Sequence, residues 1–370
     1  MIKVTGLVNL HNSSKIGDLN AQRTVASTSF LGRYAFMDFT LSNFANSGID
    51  DIGILAKEHV RSLIQHISYG HPWNDNTKLG GLALLYDEPH GNMEGYNHDI
   101  NNLLENFWFL KRSTADVVVI APAHIIYRLD FRPLIEEHVK NNNKITLVYH
   151  KLHNARQEFI GEDVCTIDEN GLLEDLNTNQ GKDDEVDISL QTYIIDKEVL
   201  KGLLQVGSKT SSFYNLRDTI KLLCKDMPIH TVEHEGYVRC FDSLTHYLSQ
   251  SIELLDRDTR SQLFDEDWDI YTKTYDTPPA KYGINSDISN SFISNGCQVE
   301  GTVKNSILSR DVIVSKGAVI ENSVILSGTY ISEDTHLSNV VVDKEARLLH
   351  SKDLRGTKEN PLLIKRGDIV

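Results

Sequence analysis

An α/β domain followed by a parallel β-helix is the fold this sequence predicts, and three observations predict it. Up to about residue 255, short β-branched runs alternate with amphipathic stretches. Beyond residue 284 aliphatic residues recur at a stride of six, and between the two regions lies an acidic, proline-bearing segment. The 370 residues are enough for two domains with a buried core, and these changes of rhythm divide them into 1–255, a linker over 256–283, and 284–370.

The opening "MIKVTG" reads as a strand and runs into the polar turn "LVNLHNSSKIGDLNAQRTVAS". Turns that cradle phosphate in α/β nucleotide-binding domains are glycine-rich, because backbone N–H groups must approach the ligand closely. This turn has only Gly17, so the frame of a nucleotide site is present without its cradle. "ADVVVIA" (115–121), "KITLVYH" (144–150) and "ISLQTYIID" (188–196) are runs of the kind buried in a parallel sheet. Between them, "INNLLENFWFLKRS" and "DFRPLIEEHVKNNN" read as helices, the second with Asp130 as N-cap and Pro133 in its first turn. Strands alternating with helices indicate a doubly wound α/β layer.

Farther on, Ile307, Ile313, Val319, Ile325, Ile331 and Leu337 stand six residues apart. A helix would want three or four and a hairpin strand two, whereas six is the stride of a β-helix whose stacked coils bury one aliphatic ladder. The preceding "DEDWDIYTKTYDTPPAKYG" (265–283), with Pro278 and Pro279, reads as linker, and its "DEDWD" (265–269) as a solvated acidic stretch.

A net charge of -15 with no basic run argues against nucleic acid as a partner. No apolar run is long enough to span a membrane, and no basic-then-apolar leader opens the chain. Cys165, Cys224, Cys240 and Cys297 are scattered without zinc-type or disulfide-type spacing. Reduced thiols in a cytoplasm are the expectation.

"RYAFMDFTLSNFANSGIDDIGIL", followed by "LIQHIS", closely resembles the bacterial glucose-1-phosphate adenylyltransferases (ADP-glucose pyrophosphorylases), which make ADP-glucose for glycogen synthesis. "TADVVVIAPAHIIYRLDF" and "EGYVRCFDSLTHYLSQSIELL" are similar to that family's two metal-binding segments, and the tail to its left-handed β-helix, so the resemblance covers nearly the whole chain. It implies a Rossmann-like nucleotidyltransferase (GT-A-like) domain. Phosphoryl chemistry of this kind needs Mg²⁺ on carboxylates and basic side chains along the triphosphate.

At the positions where the resemblance implies those groups, other residues stand. The loop is "NLHNSSKIGDL", the family's loop arginine has no clear counterpart, and the second basic position falls on Val25, although Arg23 matches a family arginine. The first metal aspartate falls on Ala123, or on His124 if the segment is aligned one residue over, and the second on Cys240. Asn177 and Thr178 replace a Glu-Lys pair. Removing one preorganised electrostatic group typically costs on the order of 10² to 10³ in rate. The resemblance therefore points to the family's non-catalytic, regulatory GlgD-type subunits.

Some positions are retained. Ser189 and Tyr193 sit where the family contacts glucose 1-phosphate, and Phe213 matches an aromatic beside that pocket, although a Ser and a Tyr with satisfied hydroxyls on a buried strand account for the first two equally well. Gln191, in place of a family glycine, narrows that pocket. Arg33 occupies the position of a lysine that binds sugar-phosphate activators in regulated members; the plainer alternative is a surface arginine paired with an acidic neighbour. Arg23 and Arg33 are the effector candidates. Asp242 reads as a helix N-cap rather than a displaced metal ligand, and His124 as a loop histidine, since magnesium prefers oxygen.

The expectation is a catalytically deficient subunit that binds no cofactor itself, with Mg²⁺ in a catalytic partner and a heterotetramer as the assembly. The alternatives are a weakly active nucleotidyltransferase with a rebuilt site and a non-enzymatic assembly scaffold. An acyltransferase ranks last, since His336 is the sole histidine in the repeat stretch 290–343.

Overall fold

The computed structural model describes residues 2–13, 15–68, 70–73, 80–86, 97–211 and 213–370. They form two compact units interleaved along the chain: Met1–Ser13, Phe39–Cys240 and Asp269–Tyr271 in the first, and Ser14–Asp38, Phe241–Trp268 and Thr272–Val370 in the second. The sequential division at 255 and 283 does not follow these units. The 14–38 stretch belongs with the β-helix, and 256–283 is no bare connector, since Arg257–Leu263 is a helix capped by Asp256 with Leu263 buried.

The first unit is built on a nine-stranded mixed sheet. Gly81–Tyr86, Asp51–Ala56, Val4–Asn9 and Val117–Pro122 lie side by side and run parallel. The opening strand is thus shifted from "MIKVTG", starting at Val4 and ending at Asn9. Val186–Asp196 corrects the parallel reading: it runs antiparallel to both Val117–Pro122 and Ile145–Leu152. A run buried on both faces reports burial, and burial does not fix strand direction. Leu7, Val118, Ile120, Leu147 and Ile195 make the core with Phe109 and Leu203 from the covering helices.

The segment read as one helix breaks at Asn106 into Asp99–Glu105 and Phe107–Arg112, with the Asn106 amide donating to the Asn102 and Tyr86 carbonyls. Phe131–Lys140 starts as expected, with the Asp130 carboxylate accepting from the Arg132 N–H.

In the second unit three five-stranded parallel sheets form the sides of the left-handed β-helix. Its inward ladders are Val299, Val314, Ile331 and Leu348; Val303, Ile320, Leu337 and Leu354; and Leu308, Ile325 and Val342. Most coils advance by seventeen residues, as between Val303, Ile320 and Leu337. A uniform stride of six would need eighteen. The single ladder inferred from that stride therefore slips: Ile313 is 36% exposed, and its neighbour Val314 takes the inside. Val319 likewise yields to Ile320.

At one corner Asn290, Asn305, Asn322 and Asn339 adopt positive φ, a conformation asparagine tolerates better than most residues. The Asn290 side-chain amide donates to Asn305 Oδ1 at 2.8 Å, and the Asn305 amide donates to Asn322 Oδ1 in turn. Beside them Ser291, Ser306 and Ser323 each accept from a backbone N–H of the next coil at 3.1 Å.

Coil stacking leaves no room at Gly301, where an added Cβ would lie 2.3 Å from the Ala318 carbonyl oxygen. Gly301→Ala should therefore destabilise by about 1–3 kcal/mol. Gly202→Ala, in the Lys197–Thr210 helix with nothing within 4 Å of the new methyl, should be neutral or stabilising by about 0.5–1 kcal/mol. Thermal melting of the two variants checks the contrast.

Asp242 is not the N-cap of the Leu244–Glu253 helix. Ser243 is, accepting from the His246 N–H, while the Asp242 carboxylate takes the His246 ring nitrogen at 2.6 Å. Both residue types cap helices, so the sequence does not choose between neighbours. Among the described residues no helix is long and apolar enough to cross a membrane.

Candidate functional site

In open α/β sheets ligands bind beyond the carboxyl ends of the parallel strands. At that end of the first unit, Asn9 closes the opening strand with its amide donating to Asp99 at 2.8 Å and its side-chain oxygen accepting from the His11 N–H at 3.0 Å. The His11 ring is buried against the Asn102 amide at 3.1 Å, and the Lys57 ammonium donates to the His11 carbonyl at 3.2 Å. Burial pulls the His11 pKa down to about 4, against the opposing charge of Asp99. A neutral imidazole thus packs where the turn begins, and the His11 N–H points inward to a side chain.

The Val117–Pro122 strand leads into Ala123 and His124, and the short Ile125–Tyr127 strand that follows pairs antiparallel with Val238–Cys240, placing Cys240 opposite Ile125. The two positions matched to metal aspartates are therefore neighbours in space. Between them comes Glu162, from the turn ahead of Asp163–Ile167. Its Oε1 lies 3.3 Å from His124 Nε2 and 3.8 Å from Cys240 Sγ, and its Oε2 accepts from the Gln191 amide at 2.6 Å. His124 and Cys240 are each 1% exposed and Glu162 4%. His124 thus stands in the short bend between two strands, a loop position as read from the sequence, but a buried one. It follows a buried strand, and among the described residues neither ring nitrogen has a hydrogen-bond partner, Nε2 having only the 3.3 Å charge contact with Glu162.

Ser189, Gln191 and Tyr193 stand on the Val186–Asp196 strand. The Ser189 hydroxyl accepts from the Gln191 N–H at 3.0 Å, and burial pushes the Tyr193 hydroxyl pKa well up. Gln191 has φ 50° at an irregularity in the pairing with Ile145–Leu152, a left-handed conformation that favours glycine. Its side chain turns to Glu162. Phe213 is 59% exposed. Asn177 and Thr178 end an exposed edge strand, where the Lys221 ammonium meets the Leu176 carbonyl and, at 3.2 Å, the Asn177 side chain.

The remaining candidates lie in the second unit. Val25 is buried in a short 3₁₀ turn capped by Thr24. Arg23 is 5% exposed and bound through one guanidinium nitrogen to both Asp343 oxygens at 2.7 Å, so a buried ion pair already occupies it. Arg33 is exposed and lies over the Tyr34 ring at 5.4 Å; among the described residues it makes no ion pair, unlike the acid-paired surface arginine of the plainer reading.

Arg33 lines a cavity of about 560 Å³ together with Arg260 and Arg310. Arg260 lies over Phe292 and donates to the Leu254 and Leu255 carbonyls, while Arg310 lies over Tyr275 at 4.3 Å. Burial, with the Arg33 charge, lowers the Arg310 pKa. His336 is exposed on its coil.

Mg²⁺ does not fit the first unit's cluster. It requires oxygen ligands in octahedral array, and the two metal positions offer Ala123 or His124 on one side and Cys240 on the other. Glu162, Arg260 and Arg310 carried no signal in the sequence, since each lies outside the quoted family segments.

The fold defines a nucleotidyltransferase-type unit joined to a hexapeptide β-helix. The nucleotidyl transferase family model matches residues 17–229, and a "GlmU-like, C-terminal hexapeptide" model matches 278–354. The chain belongs to the nucleotidyl transferase family and, within it, to the group of GlgD and glucose-1-phosphate adenylyltransferase proteins. It is 31% identical to the glycogen biosynthesis protein GlgD of Bacillus subtilis over 95% of this chain and 92% of that one. The GlgD of Geobacillus stearothermophilus is 32% identical over 94% and 91%. The glucose-1-phosphate adenylyltransferase of Acetivibrio thermocellus is 26% identical over 94% and 82%.

Proposed function

We propose that this chain is a catalytically deficient, regulatory subunit of glucose-1-phosphate adenylyltransferase, acting in bacterial glycogen biosynthesis in the cytoplasm. The observation that carries the reading is the loss of carboxylate at both metal positions, Ala123 or His124 and Cys240. The names of the GlgD relatives support the pathway. In this reading the chain joins a catalytic adenylyltransferase subunit in a heterotetramer, and that partner holds the Mg²⁺. Purified alone, the chain should form no ADP-glucose from ATP and glucose 1-phosphate. A rate typical of active relatives would instead establish the rebuilt-site alternative. Cys240→Asp restores one carboxylate of several missing groups and should leave the chain inactive.

The regulatory reading rests on the arginine-lined cavity. Arg33, Arg260 and Arg310 converge there, and among the described residues no carboxylate forms a salt bridge with any of them, which suits a sugar-phosphate effector. An effector shifts the active partner only by its differential affinity for two states. A tenfold change in activator affinity needs about 1.4 kcal/mol, within the range of one charge-assisted hydrogen bond. Arg33→Ala should leave heteromer assembly intact and weaken sugar-phosphate activation about tenfold. Unchanged activation curves of the reconstituted enzyme would remove Arg33 from the mechanism.

A further inference from the structure

We infer that His124, Glu162 and Cys240 form a binding site for a borderline-soft divalent transition cation, zinc(II) foremost. This goes beyond the regulatory reading and does not depend on it. One imidazole, one carboxylate and one thiol, all buried, bring ligand atoms within 4.8 Å of one another. Zinc bonds of about 2.0–2.1 Å to nitrogen and oxygen and 2.3 Å to sulfur, at tetrahedral angles, separate nitrogen from oxygen by about 3.3 Å and sulfur from oxygen by about 3.5 Å. The observed separations are 3.3 and 3.8 Å. Small side-chain movements therefore suffice to close the set around one ion.

Charge and hydrogen bonding favour the same occupant. A thiolate, a carboxylate and a neutral imidazole carry two negative charges, which a divalent cation cancels in a site too buried to tolerate net charge. Among the described residues neither buried ring nitrogen of His124 has a hydrogen-bond partner, Nε2 lying 3.3 Å from Glu162 Oε1 without a hydrogen bond, and a metal satisfies one of them. Gln191 donates to the Glu162 oxygen turned away from Cys240, the outer-shell contact that orients a ligating carboxylate. Sulfur and nitrogen donors select zinc, cobalt or iron over magnesium. Three protein ligands leave a fourth tetrahedral position for water.

The test is a cobalt(II) titration of the full-length chain after chelator stripping and dialysis. The expected result is an intense tetrahedral visible spectrum with a thiolate-to-cobalt charge-transfer band, saturating at one ion per chain, displaced by zinc and unaffected by magnesium. Cys240→Ser should lose the charge-transfer band, whereas Cys165→Ser should keep it. Gln191→Gly removes the outer-shell contact and relaxes a positive φ, so it should fold and weaken cobalt affinity about 10- to 100-fold. Should Cys240→Ser not fold, X-ray absorption of the zinc-loaded wild-type chain decides through a sulfur scatterer at about 2.3 Å. A wild-type chain that takes up no cobalt, or holds zinc without a sulfur ligand, overturns the assignment and leaves a metal-free His124–Glu162 contact.

Discussion

Asp343→Ala is expected to destabilise the second unit by about 3–5 kcal/mol, because it leaves the Arg23 guanidinium buried without its counter-charge. Arg23 and Asp343 are 6% and 5% exposed in their side chains and 320 residues apart in sequence. The Asp343 carboxylate also accepts from the Lys344 N–H, and the Lys344 ammonium beside it is pulled down to a pKa of about 8, first by burial and then by Arg23. Two cations are thus gathered around one carboxylate. Replacing both Arg23 and Asp343 by leucine should cost less than either single change, since neither partner of the pair is then left as an uncompensated buried charge, and Lys344 loses the repulsion of Arg23 together with the attraction of Asp343. Denaturant unfolding of the four proteins in this cycle gives the coupling. A loss in the double variant equal to the sum of the two single losses would show that the two side chains are not coupled and that the pair is not what fastens the 14–38 segment to the β-helix.

Acidification should destabilise the first unit between pH 6.5 and 4. His11 and His234 both have pKa values lowered to about 4, chiefly by burial, with Lys57 and His98 adding to it at His11 and His150 and Arg128 at His234. A histidine whose folded pKa is depressed contributes stability that is fully present above its unfolded value near 6.5 and is lost as pH falls toward the folded value. Each therefore removes on the order of 3 kcal/mol across that window. Asp163 works against them. Burial raises its pKa to about 6 despite Arg217, so the folded state takes up its proton first and regains on the order of 2–3 kcal/mol below pH 6. The net expectation is a loss of several kcal/mol, read as a falling melting temperature. His234→Asn should flatten the slope, and an unchanged slope would exclude this residue as a cause.

What the sequence made legible depended on how local the signal was. The β-helix showed itself because each coil repeats a short pattern, yet the stride of six misplaced Ile313 and Val319, since turns of unequal length shorten the coil to seventeen. The alternation of strands and helices was readable, but not the antiparallel direction of Val186–Asp196, because direction is set by the connections and not by the run itself. Ala123, His124 and Cys240 drew notice in the sequence because they stand where the family resemblance implies metal carboxylates. Their meeting with Glu162, like that of Arg23 with Asp343 or of Arg33 with Arg260 and Arg310, arises from tertiary folding between residues whose separations carry no local pattern.

The most direct measurement of the central claim is ADP-glucose formation by a catalytic glucose-1-phosphate adenylyltransferase subunit from the same cell, assayed with and without this chain across a range of sugar-phosphate concentrations. No product is expected from this chain alone and, on mixing, a changed rate or activation curve of the catalytic subunit. Turnover by this chain alone at the rate of active relatives, or a mixture indistinguishable from the catalytic subunit by itself, would contradict that claim.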